Sequence, residues 1–179
     1  MRKIILSVFA ATSLLLYSTQ AFALLNFSVG VPLSHTITGK YSDGTEIKSE
    51  GVSGTFIQVG VPMLPGTGMD SYKTKIESDD PFELETMIYT LYYLLPIPII
   101  NLTLGVGTGS TTFKCSGCDA YFDKGSASQW YASFGMPIIP LFDLHLSYRS
   151  VSSKLKVKGS SVEHDFSGNV MGLGIGFNF

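Results

Sequence analysis

Met171-Gly172-Leu173-Gly174-Ile175-Gly176-Phe177-Asn178-Phe179 ends the chain with a strict two-residue period. Large apolar side chains take every odd position, and glycine or asparagine takes every even one. Successive strand residues point to opposite faces, so this stretch reads as a strand with one apolar wall and one nearly bare wall. It is not a dinucleotide-binding loop. Gly172, Gly174 and Gly176 have period two, lack a third glycine at the required offset and precede no helix.

The same alternation recurs backwards along the chain. Phe142, Leu144, Leu146 and Tyr148 alternate with Asp143, His145, Ser147 and Arg149. Trp130, Ala132, Phe134 and Met136 alternate with Gln129, Tyr131, Ser133 and Gly135. Ile100, Leu102, Leu104 and Val106 alternate with Asn101, Thr103, Gly105 and Gly107. Thr55, Ile57, Val59, Val61 and Met63 form a further strand, as do Leu25, Phe27, Val29, Val31 and Leu33. Met69 to Ile76 and Leu84 to Leu95 alternate less cleanly, and both faces of the second are apolar, so its parity stays unassigned. The expectation is eight strands in four hairpins.

Alternation alone also suits a soluble sandwich with its apolar faces turned inward. The connections separate the two. Pro62-Met63-Leu64-Pro65, Pro96-Ile97-Pro98-Ile99 and Pro137-Ile138-Ile139-Pro140 are short and uncharged. Gly39 to Gly51, Ile76 to Glu83, Phe113 to Ser126 and Ser152 to Phe166 are long and hold most of the charges. Short turns at one end and long polar loops at the other are the layout of an outer-membrane barrel. Lipid offers no hydrogen-bond partners, so such a sheet has to close on itself. Both termini then fall on the short-turn, periplasmic side. Tyr72, Trp130, Tyr131, Tyr148, Phe177 and Phe179 are the expected interfacial aromatics.

Composition agrees. A chain with 45% apolar residues, 12% aromatics, 19 Gly and only 15% charged residues has more greasy surface than a small soluble core uses. The formal charge is −2, and removing Arg2 and Lys3 makes the remainder more acidic, which excludes a nucleic-acid surface. Residues 1–23 read as a cleaved signal peptide: Arg2 and Lys3, the apolar stretch Ile4 to Tyr17, then Ala21-Phe22-Ala23. A helix over Ile4 to Tyr17 covers only ~21 Å at ~1.5 Å per residue, too short for a ~30 Å bilayer core. Residues 24–179 form the expected barrel domain.

The last strand, with its terminal Phe179, resembles the C-terminal strand of bacterial outer-membrane proteins. That resemblance implies Phe177 and Phe179 as the signal read by the barrel assembly machinery. In size and layout the chain is similar to small eight-stranded barrels of the OmpX/Ail type, the OmpA membrane domain and OmpW-like proteins. The resemblance implies an all-β, closed, antiparallel up-and-down barrel in the bacterial outer membrane, with lipid and lipopolysaccharide as its surroundings.

Several residues carry candidate chemistry. Cys115 and Cys118 suit a small structural disulfide in an oxidising compartment; two thiols are too few for a metal site, and no helix follows for a redox motif. His145-Leu146-Ser147 and the later Glu163 are similar in order to the lipid A deacylase barrels, which implies Ser147 as nucleophile, His145 as base and Glu163 as the orienting group. The residues themselves put His145 and Ser147 on the face of Asp143 and Arg149, which is the lumen. Asp143, His145 and Arg149 are therefore expected to form an interior polar network, with Lys73, Lys75 and Glu85 as partners. An eight-stranded lumen is just wide enough for side chains to fill, although Gly30, Gly60, Gly105, Gly107, Gly172, Gly174 and Gly176 leave room for a small apolar cargo. Lys154, Lys156 and Lys158 alternate at the fourth loop, either as a solvated strand extension or toward lipopolysaccharide phosphates. No cofactor and no metal is expected. The favoured role is a structural or surface-interaction barrel, with a deacylase-like enzyme and an apolar carrier as alternatives.

Overall fold

The computed structural model describes residues 25–61, 64–78, 82–97, 100–115, 121–139 and 141–178. The expected signal peptide lies outside them. The strands are β1 (Asn26–Ile37), β2 (Ser49–Gly60), β3 (Gly66–Ile76), β4 (Phe82–Ile97), β5 (Ile100–Lys114), β6 (Gly125–Ile139), β7 (Phe142–Lys156), the short β8 (Glu163–Asp165) and β9 (Gly168–Asn178).

Neighbouring strands pair antiparallel from β1 to β7, and β9 fits between β7 and β1. Closure rests on two seams. β9 pairs with β1 from Asn26↔Asn178 to Ile37↔Gly168, and with β7 from Phe142↔Phe177 to Val151↔Gly168. The result is a closed eight-stranded antiparallel barrel. β8 is not a ninth stave. It continues the line of β9 past Ser167 and pairs with the far end of β7, Lys154↔Asp165 to Lys156↔Glu163. Pro32 and Pro137, which cannot donate to a ladder, sit where the register shifts.

The strands run further than alternation of apolar residues marks them. β5, β6 and β7 each reach 15 residues. Their outward faces split by height. Toward the short-turn end they expose Leu91, Tyr93, Leu104, Val106, Phe134, Met136, Leu146, Leu173 and Ile175. Toward the long-loop end the same faces carry Thr108 and Lys114, Ser126 and Ser128, and Ser152 and Lys154. Polar outward residues hide the period from a hydrophobicity reading, which is why the loops looked longer than they are.

The parity of β4 is now fixed. Met87, Tyr89, Leu91 and Tyr93 face out, while Leu84, Thr86, Ile88, Thr90 and Tyr92 face in. Two expected interfacial aromatics are corrected. Tyr72 and Tyr131 are each 1% exposed and lie in the lumen. Tyr131 shares parity with Gln129 and Ser133, and Tyr72 with Asp70 and Thr74, so the pleat turns both rings inward. Trp130 and Tyr148 do face out, with ring centroids 5.8 Å apart.

The inward glycines do not leave a conduit. Most stand under a side chain from another strand, while Gly30 and Gly174 meet backbone to backbone beside a small cavity. A Cβ at Gly105 would come within 2.2 Å of the Tyr131 ring, one at Gly66 within 2.3 Å of Tyr92, and one at Gly172 within 2.5 Å of Phe56. Small beside large is how a narrow barrel reaches close packing. Gly105→Val is therefore expected to destabilise the barrel by about 1–3 kcal/mol, as overpacking does. Thr108→Val, facing out on the same strand, should move stability by less than about 0.5 kcal/mol. Urea unfolding of both variants in detergent checks this; equal midpoints would mean that Tyr131 does not occupy the space over Gly105.

Candidate functional site

The interior is built in tiers. At the short-turn end stands an amide ladder. Asn101 Nδ2 and Asn178 Nδ2 both donate to Asp143 Oδ2, at 2.5 and 2.7 Å. Asn26 Nδ2 donates to Asn178 Oδ1 at 2.6 Å. The ladder ties β5, β7, β9 and β1 across the lumen. Gly135 on the intervening β6 makes this possible, since a Cβ there would meet Asn101 Cβ at 3.1 Å and the His145 ring at 2.7 Å.

Above the ladder lies a buried ion pair. Arg149 Nε donates to Asp70 Oδ2 at 2.9 Å, and the two side chains are 3% and 0% exposed. Gln129 Nε2 donates to the same carboxylate oxygen at 2.5 Å. Arg149 Nη1 donates to Ser147 Oγ at 2.5 Å, and Ser147 Oγ donates to the Gly172 carbonyl at 3.2 Å. The guanidinium carbon stands 3.5 Å from the centroid of Phe56 and 5.2 Å from that of Tyr131. Gln58 Nε2 donates to Tyr131 Oη at 2.8 Å. A buried charge persists only when paired and hydrogen-bonded, and here three strands, β3, β6 and β7, supply the partners.

Two apolar tiers follow. Phe56, Tyr72, Ile88, Ala127, Val151 and Val170 form the lower. Ile47, Ile76, Leu84, Phe113, Leu155 and Phe166 form the upper, with Tyr41, Phe82, Cys115 and Phe122 packed against it. Phe113 stacks on Phe122 at 4.9 Å and meets Phe166 edge-on at 5.0 Å. The loops fold over this cluster as a cap. Ser42 N donates to His164 Nδ1 at 3.1 Å, and the Tyr41 ring meets His164 edge-on at 5.5 Å. Exposed Asp43 is held below the ordinary carboxylate range by the Thr45 amide, which donates to it at 2.9 Å.

The expected polar residues do not form one network. Asp143 belongs to the amide ladder and Arg149 to the ion pair above it. The expected partners are corrected too. Lys73 and Glu85 pair with each other at 3.9 Å on the outer surface, with 50% and 35% of their side chains exposed, and Lys75 is likewise exposed. Odd positions of β3 face out. Its even positions face in, so the missed partner of Arg149 is Asp70. The signal was there: Asp70 shares parity with Tyr72, Thr74 and Ile76, but the weak alternation of β3 concealed it.

His145 and Ser147 share the inner face of β7. Ser147 is engaged by Arg149 and Gly172, and the His145 ring packs over Gly135 and Gly176. Glu163 stands with Lys156 at 3.0 Å, at the other end of β7. At ~3.3 Å per residue that separation exceeds ~30 Å, so the structure does not bring Glu163 to His145. His145 and Ser147, with Ser28, Gln58, Ser133 and Arg149, line a cavity of about 20 Å³. That is room for about one water. Cys115 is disulfide-bonded. Cys118 and Phe179 lie outside the described residues, while Phe177 packs on Phe142 at 5.0 Å and on Phe27 at 6.3 Å. Among the described residues no three His, Cys, Asp or Glu gather as a metal site.

A closed, filled eight-stranded barrel with an exposed apolar belt defines a class. The chain has the fold of the small outer-membrane barrels. It is similar to the crystal structure of Neisserial surface protein A, with a TM-score of 0.63 and 14% identity over 87% of this chain and 97% of that one. It is also similar to the solution structure of the E. coli outer membrane protein W, with a TM-score of 0.53 and 12% identity over 88% and 98%. No family model matches the chain, and no curated protein does.

The ion pair gives a test. Asp70→Ala strands a buried guanidinium and should cost about 3–5 kcal/mol, whereas Asp70→Leu with Arg149→Met should cost far less than the two single changes together. A double-mutant cycle by urea unfolding reads the coupling; additive costs would mean the pair is not buried as described.

Proposed function

We propose that this chain is a bacterial outer-membrane barrel of structural or surface-interaction type, with its short turns and both chain ends in the periplasm and its loop cap at the cell surface. The observation that carries the reading is the exposed apolar belt around an interior already packed with side chains. Residues such as Phe134 at 55%, Met136 at 61% and Val106 at 61% exposure on a closed wall suit contact with lipid. A lumen filled by Tyr72, Tyr92, Tyr131, Phe56 and the Arg149–Asp70 pair favours an anchor over a pore or a carrier. The cap then does the surface work, and its outer side offers exposed Tyr121 and Val162 to a partner. A Cys115–Cys118 disulfide pins the third loop in this reading. Phe177 and Phe179 serve assembly, through the barrel assembly machinery.

Cell fractionation and a detergent gel, run with and without boiling, test the location and closure. The expected result is an outer-membrane protein whose unboiled band migrates apart from the boiled one. A soluble protein with no shift would overturn the reading. A depth scan sharpens it. Leu146→Arg, inside the belt, should cost about 2–4 kcal/mol in lipid vesicles, and Ser152→Arg, above the belt, about 0–1 kcal/mol. Equal costs would remove the lipid-facing assignment. In planar bilayers the wild type should pass no steady current, and a stable open conductance would defeat the filled-lumen reading.

A further inference from the structure

The outer wall changes from apolar to polar toward the long-loop end. On β6 and β7 the order is specific. Phe134 and Leu146 lie in the belt. Above them stand the paired rings of Trp130 and Tyr148, 53% and 38% exposed. Ser150, level with Trp130 in the register, and Ser128 and Ser152 above it line an open groove of about 300 Å³ with Trp130 along its side. Lys154 follows at the top of β7, beside Ser126 in the register, and exposed Lys124 precedes β6.

Three other lysines at this height stand in ion pairs. Lys73 and Lys114 are both held at 3.9 Å by Glu85. Lys156 is held at 3.0 Å by Glu163. Lys124 and Lys154 make no ion pair among the described residues. Asp165 stands opposite Lys154 in the register, but its carboxylate accepts the Ser167 amide at 2.9 Å.

We infer that this groove is a binding surface for a phosphorylated glycolipid of the outer leaflet. The inference rests on the membrane reading above. Acyl chains would lie against Phe134 and Leu146. A sugar ring would stack its C–H face on Trp130 and Tyr148, and its hydroxyls would hydrogen-bond Ser128, Ser150 and Ser152. A phosphate would meet Lys154 and Lys124 as a charge-assisted partner. The order of side chains up the wall is the order of chemistry up such a lipid: hydrocarbon, sugar, phosphate.

Trp130 is the chain's only tryptophan; it borders this groove and an apolar one beside Leu91 and Val106, so the serine and Lys154 variants assign a spectral change to this groove. The experiment titrates the folded, detergent-held barrel with a phosphorylated diglucosamine lipid, its dephosphorylated form and phosphatidylglycerol. The expected result is a saturable spectral change with the phosphorylated glycolipid. Binding should be weaker by about tenfold or more in Lys154→Glu and in the Ser150→Ala, Ser152→Ala double variant. The dephosphorylated lipid should bind more weakly than the phosphorylated one. An equal response to phosphatidylglycerol would overturn the proposal, because charge alone would then suffice. No saturable change with any lipid would also overturn it. The gel shift of the same samples separates the two failures. A shifted band with no binding defeats only the groove, whereas an unshifted band defeats the membrane reading and the groove with it.

Discussion

Closure of the sheet by β9 is the constraint on which the other features depend. An open eight-stranded sheet would leave two edges of unpaired backbone groups, each costly wherever water is absent. β9 removes both edges at once by pairing with β1 along its whole length and with β7 over ten residue pairs. The amide ladder reinforces that seam from inside, since Asn178 of β9 binds Asn26 of β1 and Asp143 of β7. Once the sheet is closed, every side chain faces either the lumen or the outside. The alternation along each strand then becomes a division between two environments.

The lumen solves a packing problem with two devices. One is the pairing of small with large, as Gly105 with Tyr131 and Gly172 with Phe56. The other is a charge that can live inside because it is fully engaged. Arg149 is bound by Asp70 and Ser147 and stacked on Phe56, and Asp70 also accepts from Gln129. Such a pair contributes less to net stability than to uniqueness. Its partners come from β3, β6 and β7, so a slipped register on any of them would leave a charge unpaired. The apolar tiers above it seal the end where the loops are longest.

The outside follows from height instead. Belt residues are aliphatic and aromatic, and the strands then continue as hydroxyl-rich and charged staves that carry the loop cap away from the belt. β8 belongs to this upper part, extending the wall where β9 stops. A rigid stem of this kind holds three loops against one aromatic cluster, so the surface they present is fixed by the barrel beneath.

What the sequence determined alone was the existence of the strands and, where the alternation is clean, the side each residue takes. A period of two in Met171–Phe179, Phe142–Tyr148 and Ile100–Val106 is local information, written in the pleat. It was enough to assign a closed barrel and to send Asp143, His145, Ser147 and Arg149 to one face. It was not enough where both faces are apolar, as in β4, or where the outward face is polar, as in β3. There the hydrophobic period vanishes, although the pleat does not. Only the tertiary structure decided who meets whom across the lumen. The partnership of Arg149 with Asp70, of Asn101 with Asp143 and of Gly105 with Tyr131 depends on register and closure. Those are set by all eight staves together, and no single strand carries them.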